Sequence, residues 1–419
     1  MNGFLAIFVL MLRSLLRSKA ALMLLLASET WMVALPFVLR SDGTAEGARE
    51  LYLRYSLGGS FLIVLVVTLA MAAGSLAKER DAFTLQLSLV RPVQHWVLAL
   101  AKICAITLVG ATVIILAGFT TFFFNDPLEM CYSVKKPVLP SIESESEKMY
   151  NDLVKDPKIE KELKGANRVQ LLEFLSGKIS DSYDVIEADQ TNRTVAIKFD
   201  MNGEKADRVR VKFSTSFNLR NDVALSFKLG TRGAIVTNST QSVFDVPLGE
   251  ISAKGDENSL IIENLGSQAL MYRIRKDIQV LVKGDAFVFN VLRASMVLIS
   301  IIALAVAFGV FLSSALSHPV AVFTAMTVMV VIMMTPPTNE SYFELKTLPL
   351  GERMSIAVAE TIADATRSVV KLHPIEDLAT GIKIETVDVL GAVSRHCFLE
   401  PLLLALLSGL IMLRKVEGV

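Results

Sequence analysis

The sequence predicts an α-helical polytopic membrane protein with six spans and an N-terminal interfacial helix. Into it is inserted an extracytoplasmic α+β domain containing an antiparallel β-sandwich. Three observations lead there. Hydrophobic residues make up 52% of the 419 positions and the mean hydropathy is +0.50, more than a soluble core requires. Six apolar stretches reach or approach the roughly 20 helical residues that cross a hydrocarbon layer of about 30 Å. Between the third and fourth, charge rises and apolar residues begin to alternate with polar ones.

In chain order, Met1 to Ser18 comes first. Phe4, Ile7, Phe8, Met11, Leu12 and Leu15 recur at helical spacing while Arg13 and Arg17 interrupt the run, so the segment is expected to lie along the membrane interface. A signal peptide would place its apolar core after the charges, and here the apolar residues precede them. The spans then run from about Ala20 to Leu39, Leu57 to Ala77, Ile103 to Phe124, Val288 to Leu312, Val320 to Met334 and Cys397 to Leu413. The fifth is short and the sixth barely sufficient. Arg13, Arg17 and Lys19, then Lys78, Arg80 and Arg91, then Arg414 and Lys415 fall on one side. Basic residues in short loops are retained in the cytoplasm, so both termini are expected there, with Arg40, Arg49 and Arg54 opposing the assignment.

This divides the chain into 1–124 (interfacial helix and spans one to three), 125–287 (the inserted outer domain) and 288–419 (spans four to six, with a helical outer lid at 335–396). The inserted domain begins polar and helix-prone from Ser141 to Ser182, with Val169, Leu172 and Leu175 on one face. Alternation follows in Val195, Ile197 and Phe199, then, after an Asn202-Gly203 turn, in Val209, Val211 and Phe213. It recurs at Leu225, Phe227 and Leu229, at Leu260 and Ile262, at Tyr272 and Ile274, and at Ile278, Val280 and Val282, the rhythm of a sandwich. The lid places Met354, Val358, Ile362, Ala365 and Val369 on one helical face before Pro374 and Gly381 break it.

Chemistry-bearing patterns are sparse. The 42 basic and 42 acidic residues balance, so nothing points to nucleic acid. No phosphate loop and no nucleophile elbow occurs in the sequence. His95, His318, His373 and His396 stand apart and read as interfacial polar residues rather than metal ligands. Cys104, Cys131 and Cys397 are too scattered for a disulfide framework; whether Cys131 and Cys397 bridge is not set by spacing. No cofactor is expected in this chain, which is read as a non-enzyme. Glu29, about ten residues past Lys19, falls near mid-bilayer, where an unpaired acid costs at least roughly 2.5 kcal/mol. It is expected to face protein or a wet cavity, as a structural hydrogen bond or as a substrate or proton site. Glu400, beside Pro401, is expected to reach water.

The stretch between the second and third spans, 78–95, stands out. Lys78, Glu79, Arg80 and Asp81 need water or a partner, Leu85, Leu87 and Leu89 are apolar, Pro92 ends the segment and Trp96 suits an interface. Such a segment can dock in a partner's groove or rest solvated on lipid. With an acidic-basic cluster at Glu79 and Arg80, Thr84-Leu85, Arg91-Pro92-Val93 and Ala101-Lys102 before the next span, the chain resembles the type-2 ABC transporter permeases. Pro374, Gly381 and the Arg414-Lys415 ending with Glu417 fit more weakly, and the inserted domain departs from the family's short loop.

The resemblance implies a permease subunit of an ATP-driven exporter in the cytoplasmic (inner) membrane of a bacterium. It would work as a dimer with a second copy or a paralogue, and ABC ATPase subunits would supply ATP and Mg. Lys78, Glu79, Arg80, Asp81, Thr84, Leu85, Arg91 and Pro92 would then form the ATPase-coupling segment. Two other classes compete: a permease-like subunit that passes ATPase work to an extracytoplasmic protein without transport, and a membrane enzyme or receptor without an ATPase. The substrate is not encoded in apolar spans.

Overall fold

A computed structural model describes residues 2–40, 45–81, 94–125, 129–154, 168–180, 182–187, 193–201, 204–215, 222–229, 232–239, 243–252, 259–334 and 373–416. The chain forms two compact units, dividing between Cys131 and Tyr132 and again between Gly284 and Asp285.

The first unit is helical. Helices α1 (Asn2–Arg17), α2 (Lys19–Val38), α3 (Ala45–Ser75), α4 (Ala77–Asp81) and α5 (His95–Thr120) precede the second unit in sequence. After it come α8 (Phe287–Ala315), α9 (His318–Met334), α10 (Pro374–Ala379), α11 (Thr386–Val393) and α12 (Glu400–Val416). Among the described residues, five helical segments are long and apolar enough to cross a membrane: Ala21–Val38, Gly47–Arg80, His95–Phe123, Phe287–Ala315 and Thr386–Arg414. The stretch expected as a fifth span is α9, with 17 residues, about 26 Å of helix at 1.5 Å per residue, and falls short of that length. Exposed Leu399, Leu402, Leu403, Leu406 and Leu410 on the last segment, like Leu22, Met23 and Leu26 on α2, form apolar surface that lipid, not water, solvates.

Small residues let the helices approach closely. A Cβ on Gly309 of α8 would lie 2.9 Å from Ala72 Cβ and 3.1 Å from the Ala73 nitrogen of α3. One on Gly409 of α12 would lie 2.8 Å from the Trp96 nitrogen at the start of α5. Ile7, Phe8, Met11 and Leu12 of the predicted α1 stripe pack against the shared core and Leu15 is buried in it, with α5 as neighbour. On the other side Leu5, Val9, Leu10 and Leu16 are exposed.

The last span is longer than its apolar run. It begins at Thr386 and passes through a π-turn, Ser394–Leu399, in which the Glu400 amide donates to the Arg395 carbonyl. Pro401 supplies the reason, since it has no N–H for the Cys397 carbonyl and its ring would crowd that group in a regular α-turn. Buried positions record the extra residue: Val389, Ala392 and His396 step by three and four, then Pro401 follows after five, before Ala405, Ser408 and Met412.

In the second unit two helices, α6 (Ile142–Val154) and α7 (Arg168–Ser180), pack on each other. Among the α7 side chains described, Leu171 and Leu175 are buried and Leu172 is half-buried, while the side chain of Val169 lies outside the described residues. The strands are β1 (Met130–Lys135), β2 (Asp184–Ile186), β3 (Thr194–Lys198), β4 (Lys205–Lys212), β5 (Asp222–Leu229), β6 (Arg232–Ser239), β7 (Val243–Ser252), β8 (Ser259–Asn264), β9 (Leu270–Tyr272) and β10 (Ile278–Ala286). Two four-stranded sheets, ordered β1-β10-β4-β7 and β3-β8-β5-β6, accompany the pair β2-β9. One core joins Val209, Val211, Val246, Ile278 and Val280 of the first sheet with Ile197, Leu225, Phe227, Leu260 and Ile262 of the second, as alternation requires of facing sheets.

Residues 202–203 lie outside the described residues, but the strands that flank them, β3 and β4, belong to different sheets, so β3 and β4 do not form a hairpin. Strand β7 escaped sequence reading because Pro247 interrupts it. It lies at a sheet edge, paired with β4 alone, where a missing N–H costs no ladder bond.

Candidate functional site

The C-terminal ends of α3 and α8 and the N-terminal part of α5 meet around α4. At the step from α3 to α4, Ser313 Oγ of α8 accepts from the Leu76 and Ala77 amides at 2.9 and 2.8 Å. Arg80 returns the contact, donating to the Ser314 carbonyl at 3.3 Å and the Leu316 carbonyl at 2.5 Å, the carbonyls left open at a helix C-terminus. Lys102 of α5, 2% exposed, reaches Glu79 at 2.6 Å and donates to the Ser75 carbonyl at 2.9 Å. Three helices therefore grip one turn. Lys78 on the same turn points outward and is exposed, with its stem beside Gly74.

Of the predicted coupling residues, the structure brings Glu79 and Arg80 into this clamp and leaves Lys78 at the surface. Asp81 ends α4, while Thr84, Leu85, Arg91 and Pro92 lie outside the described residues. Lys102 and Ser313 were not among the predicted site residues. The available signal for Lys102 was a lysine seven residues into an apolar helix, a position that requires a buried partner; Ser313, more than 230 residues from its partners, offered none.

Glu29 lies against α5, where Thr120 Oγ1 is 2.8 Å from Glu29 Oε2. Among the described residues its other oxygen has no hydrogen-bond partner, and the Tyr52 hydroxyl is buried too. The Tyr52 ring packs on Phe124, centroids 4.8 Å apart, and Ser28 and Ser60 hydrogen-bond across α2 and α3.

Two histidine and carboxylate expectations are corrected at the π-turn. His396 does not stand apart: it is fully buried and its Nδ1 lies 2.6 Å from Glu400 Oε2. Nor does Glu400 simply reach water, because Arg395 Nε donates to its other oxygen at 2.7 Å. The i,i+4 spacing of His396 and Glu400 was the signal.

At the other end of the unit, Asn290 of α8 ties the chain between α10 and α11 by donating to the Ile382 carbonyl at 2.7 Å and accepting from the Ile384 amide at 2.8 Å. Arg293 pairs with Asp285 at 2.6 Å, and that bond, with Lys383 nearby, holds the Asp285 carboxyl below its usual range. Arg49 pairs with Glu129 and lies over the Phe287 ring at 5.1 Å. Burial pushes the Cys131 thiol up to about 11 and the Asp377 carboxyl up to about 6, the latter against the opposing pull of His373. All three cysteines are free. Among the described residues no three His, Cys, Asp or Glu side chains converge as a metal site. No family model matches the chain, and neither a curated protein nor a solved structure matches it.

Proposed function

We propose that the chain is the membrane-spanning permease subunit of an ATP-driven ABC transporter, an exporter that works as a dimer with separate ATPase subunits. ATP hydrolysis falls to those subunits, both termini lie in the cytoplasm, and α9 supplies a sixth, shorter crossing. The observation that carries the reading is the grip on α4. The predicted coupling segment continues in sequence from α4, and a push on α4 reaches α3, α5 and α8 through Ser313, Arg80 and the Lys102–Glu79 pair. Packed helices respond to such a push as rigid bodies.

The clamp also selects the experiment. Reversing Glu79 would break an internal pair and a docking surface together, whereas Lys78 is exposed on the same turn. An ABC-type ATPase should co-purify with the chain from native membranes, and Lys78→Glu should lower its retention at least about tenfold, since loss of a docked charge costs roughly 2 to 5 kcal/mol and about 1.4 kcal/mol is tenfold. Lys228→Glu, at an exposed side chain of β5, is the control. Equal retention in both variants, or no ATPase at all, would remove the reading. The second reading, transmission of ATPase work to an extracytoplasmic protein, draws support from the separate core of the second unit. ATP-driven solute movement in vesicles separates the two.

A further inference from the structure

In the second unit the end of β2, the start of β3 and the β8–β9 connection border an open cleft of about 670 Å³, with Val185, Glu187, Arg193, Leu265 and Ala269 on its walls. That volume suits a small organic molecule. One fully buried residue, Asn264, ties all three borders together. Its backbone amide donates to the Arg193 carbonyl at 2.9 Å, its Nδ2 donates to the Gln268 carbonyl at 2.7 Å and the Glu187 carbonyl at 3.5 Å, and its Oδ1 accepts from the Gly266 amide at 2.9 Å. The cleft is therefore preformed, with the ordering of its borders already accomplished by folding.

The charges on its walls are not spent on each other. Elsewhere in the unit Arg208, Arg210, Arg273 and Arg275 each meet a carboxylate, at 2.7 to 3.5 Å. Arg193 meets none among the described residues, although Glu187 lines the same cleft, and its Nε is buried without an acceptor. A buried guanidinium donor left unpaired is costly, and the planar fork to which it belongs matches the two oxygens of a carboxylate. Glu187 is exposed and likewise has no cationic partner among the described residues. Val185 and Leu265, 48% and 38% exposed, supply apolar wall beside these two opposite charges.

We propose that the cleft binds a zwitterion of the amino-acid type, a short apolar peptide with free ends. Its carboxylate takes the Arg193 fork, its ammonium takes Glu187, and its side chains lie on Val185, Leu265 and Ala269. A simple anion would be repelled by Glu187 and a simple cation by Arg193, whereas an uncharged molecule would leave the guanidinium without a countercharge. One ligand carrying both charges satisfies both walls. The site uses residues of the second unit alone and does not depend on an ATPase partner.

Calorimetric titration of the full chain in lipid nanodiscs with leucyl-alanine tests this. The dipeptide should bind, and its C-terminal amide and its N-acetyl derivative should each bind at least about tenfold more weakly, since a hydrogen bond between charged groups is lost in each. In R193Q the free acid and the amide should become equivalent, and in E187Q the free amine and the N-acetyl form should. Absence of binding at millimolar dipeptide, or equal binding of acid and amide by the native protein, would overturn the site. Equal binding of the free and acetylated amine by the native protein would overturn the zwitterion and the role of Glu187. The comparisons among ligands are made on the native chain, so they hold even where a variant fails to fold.

Discussion

Removing the two partners of the Lys102–Glu79 pair should have unequal consequences. Lys102 is 2% exposed and Glu79 34%. In Glu79→Gln the ammonium stays buried against the Ser75 carbonyl with no countercharge from position 79. Breaking a buried pair in this sense costs about 3 to 5 kcal/mol, and the solvent access on the Glu79 side places the expectation near the lower end, about 3 kcal/mol. In Lys102→Met the apolar stem is kept and Glu79 turns to water, so the loss should be that of a surface pair, about 1 kcal/mol or less. The double variant should resemble Lys102→Met, giving a coupling of about 3 kcal/mol in a double-mutant cycle, the whole cost of Glu79→Gln. The double variant is needed because Glu79 has contacts besides Lys102. Denaturation of the purified protein in mixed micelles, read as free energy, is the assay. If Lys102→Met proves as costly as Glu79→Gln, or if the double variant is no better than Glu79→Gln, the buried charge is not what the pair serves.

Three further outcomes are expected. Gly309→Leu should destabilise the helical unit by about 1 to 3 kcal/mol through overpacking against Ala72 and Ala73, measurable in the same micelle assay, whereas the same change at Gly391, which meets nothing within 4 Å, should have little effect. The Asp377 carboxyl, raised from 3.8 to about 6 by burial, weakens the fold when charged. Stability should therefore rise as pH falls from 7 towards 4, and Asp377→Asn should remove that part of the dependence. A flat native profile over that window would refute it. Cys131, buried with a raised thiol, should resist maleimide at neutral pH until the protein unfolds; prompt labelling in the native state would contradict its burial.

Length and apolarity made most of the membrane-embedded helices legible, and alternation did the same for the sandwich core. What sequence missed lies where local pattern and tertiary pairing disagree. Helix α3 was expected to begin near Leu57 because Arg49 and Arg54 read as loop residues, yet the helix starts at Ala45 and those arginines are held by Glu129 and Glu50. The last span was expected from Cys397 because Arg395 and His396 precede the apolar run; both meet Glu400, and the helix continues through them. The site was legible in part. Glu79, Arg80 and Glu29 stood out as charges, but no periodicity tells a carboxylate that its partner lies 23 residues on, in another helix, or a backbone amide that its acceptor is Ser313.

The π-turn at Ser394–Leu399 gives the last span a phase as well as a position. Each residue turns an α-helix by about 100°, so the extra one lets Val389, Ala392 and His396 and, beyond it, Ala405, Ser408 and Met412 present a single face that an unbroken helix of the same sequence would divide. Deleting any one residue there would restore regular hydrogen bonding locally and swing one half of the span by roughly that angle, carrying Gly409 away from Trp96. Substitution of exposed Phe398 or Leu399 carries no such penalty. Over these six residues the chain encodes its structure in how many residues it has rather than in which they are.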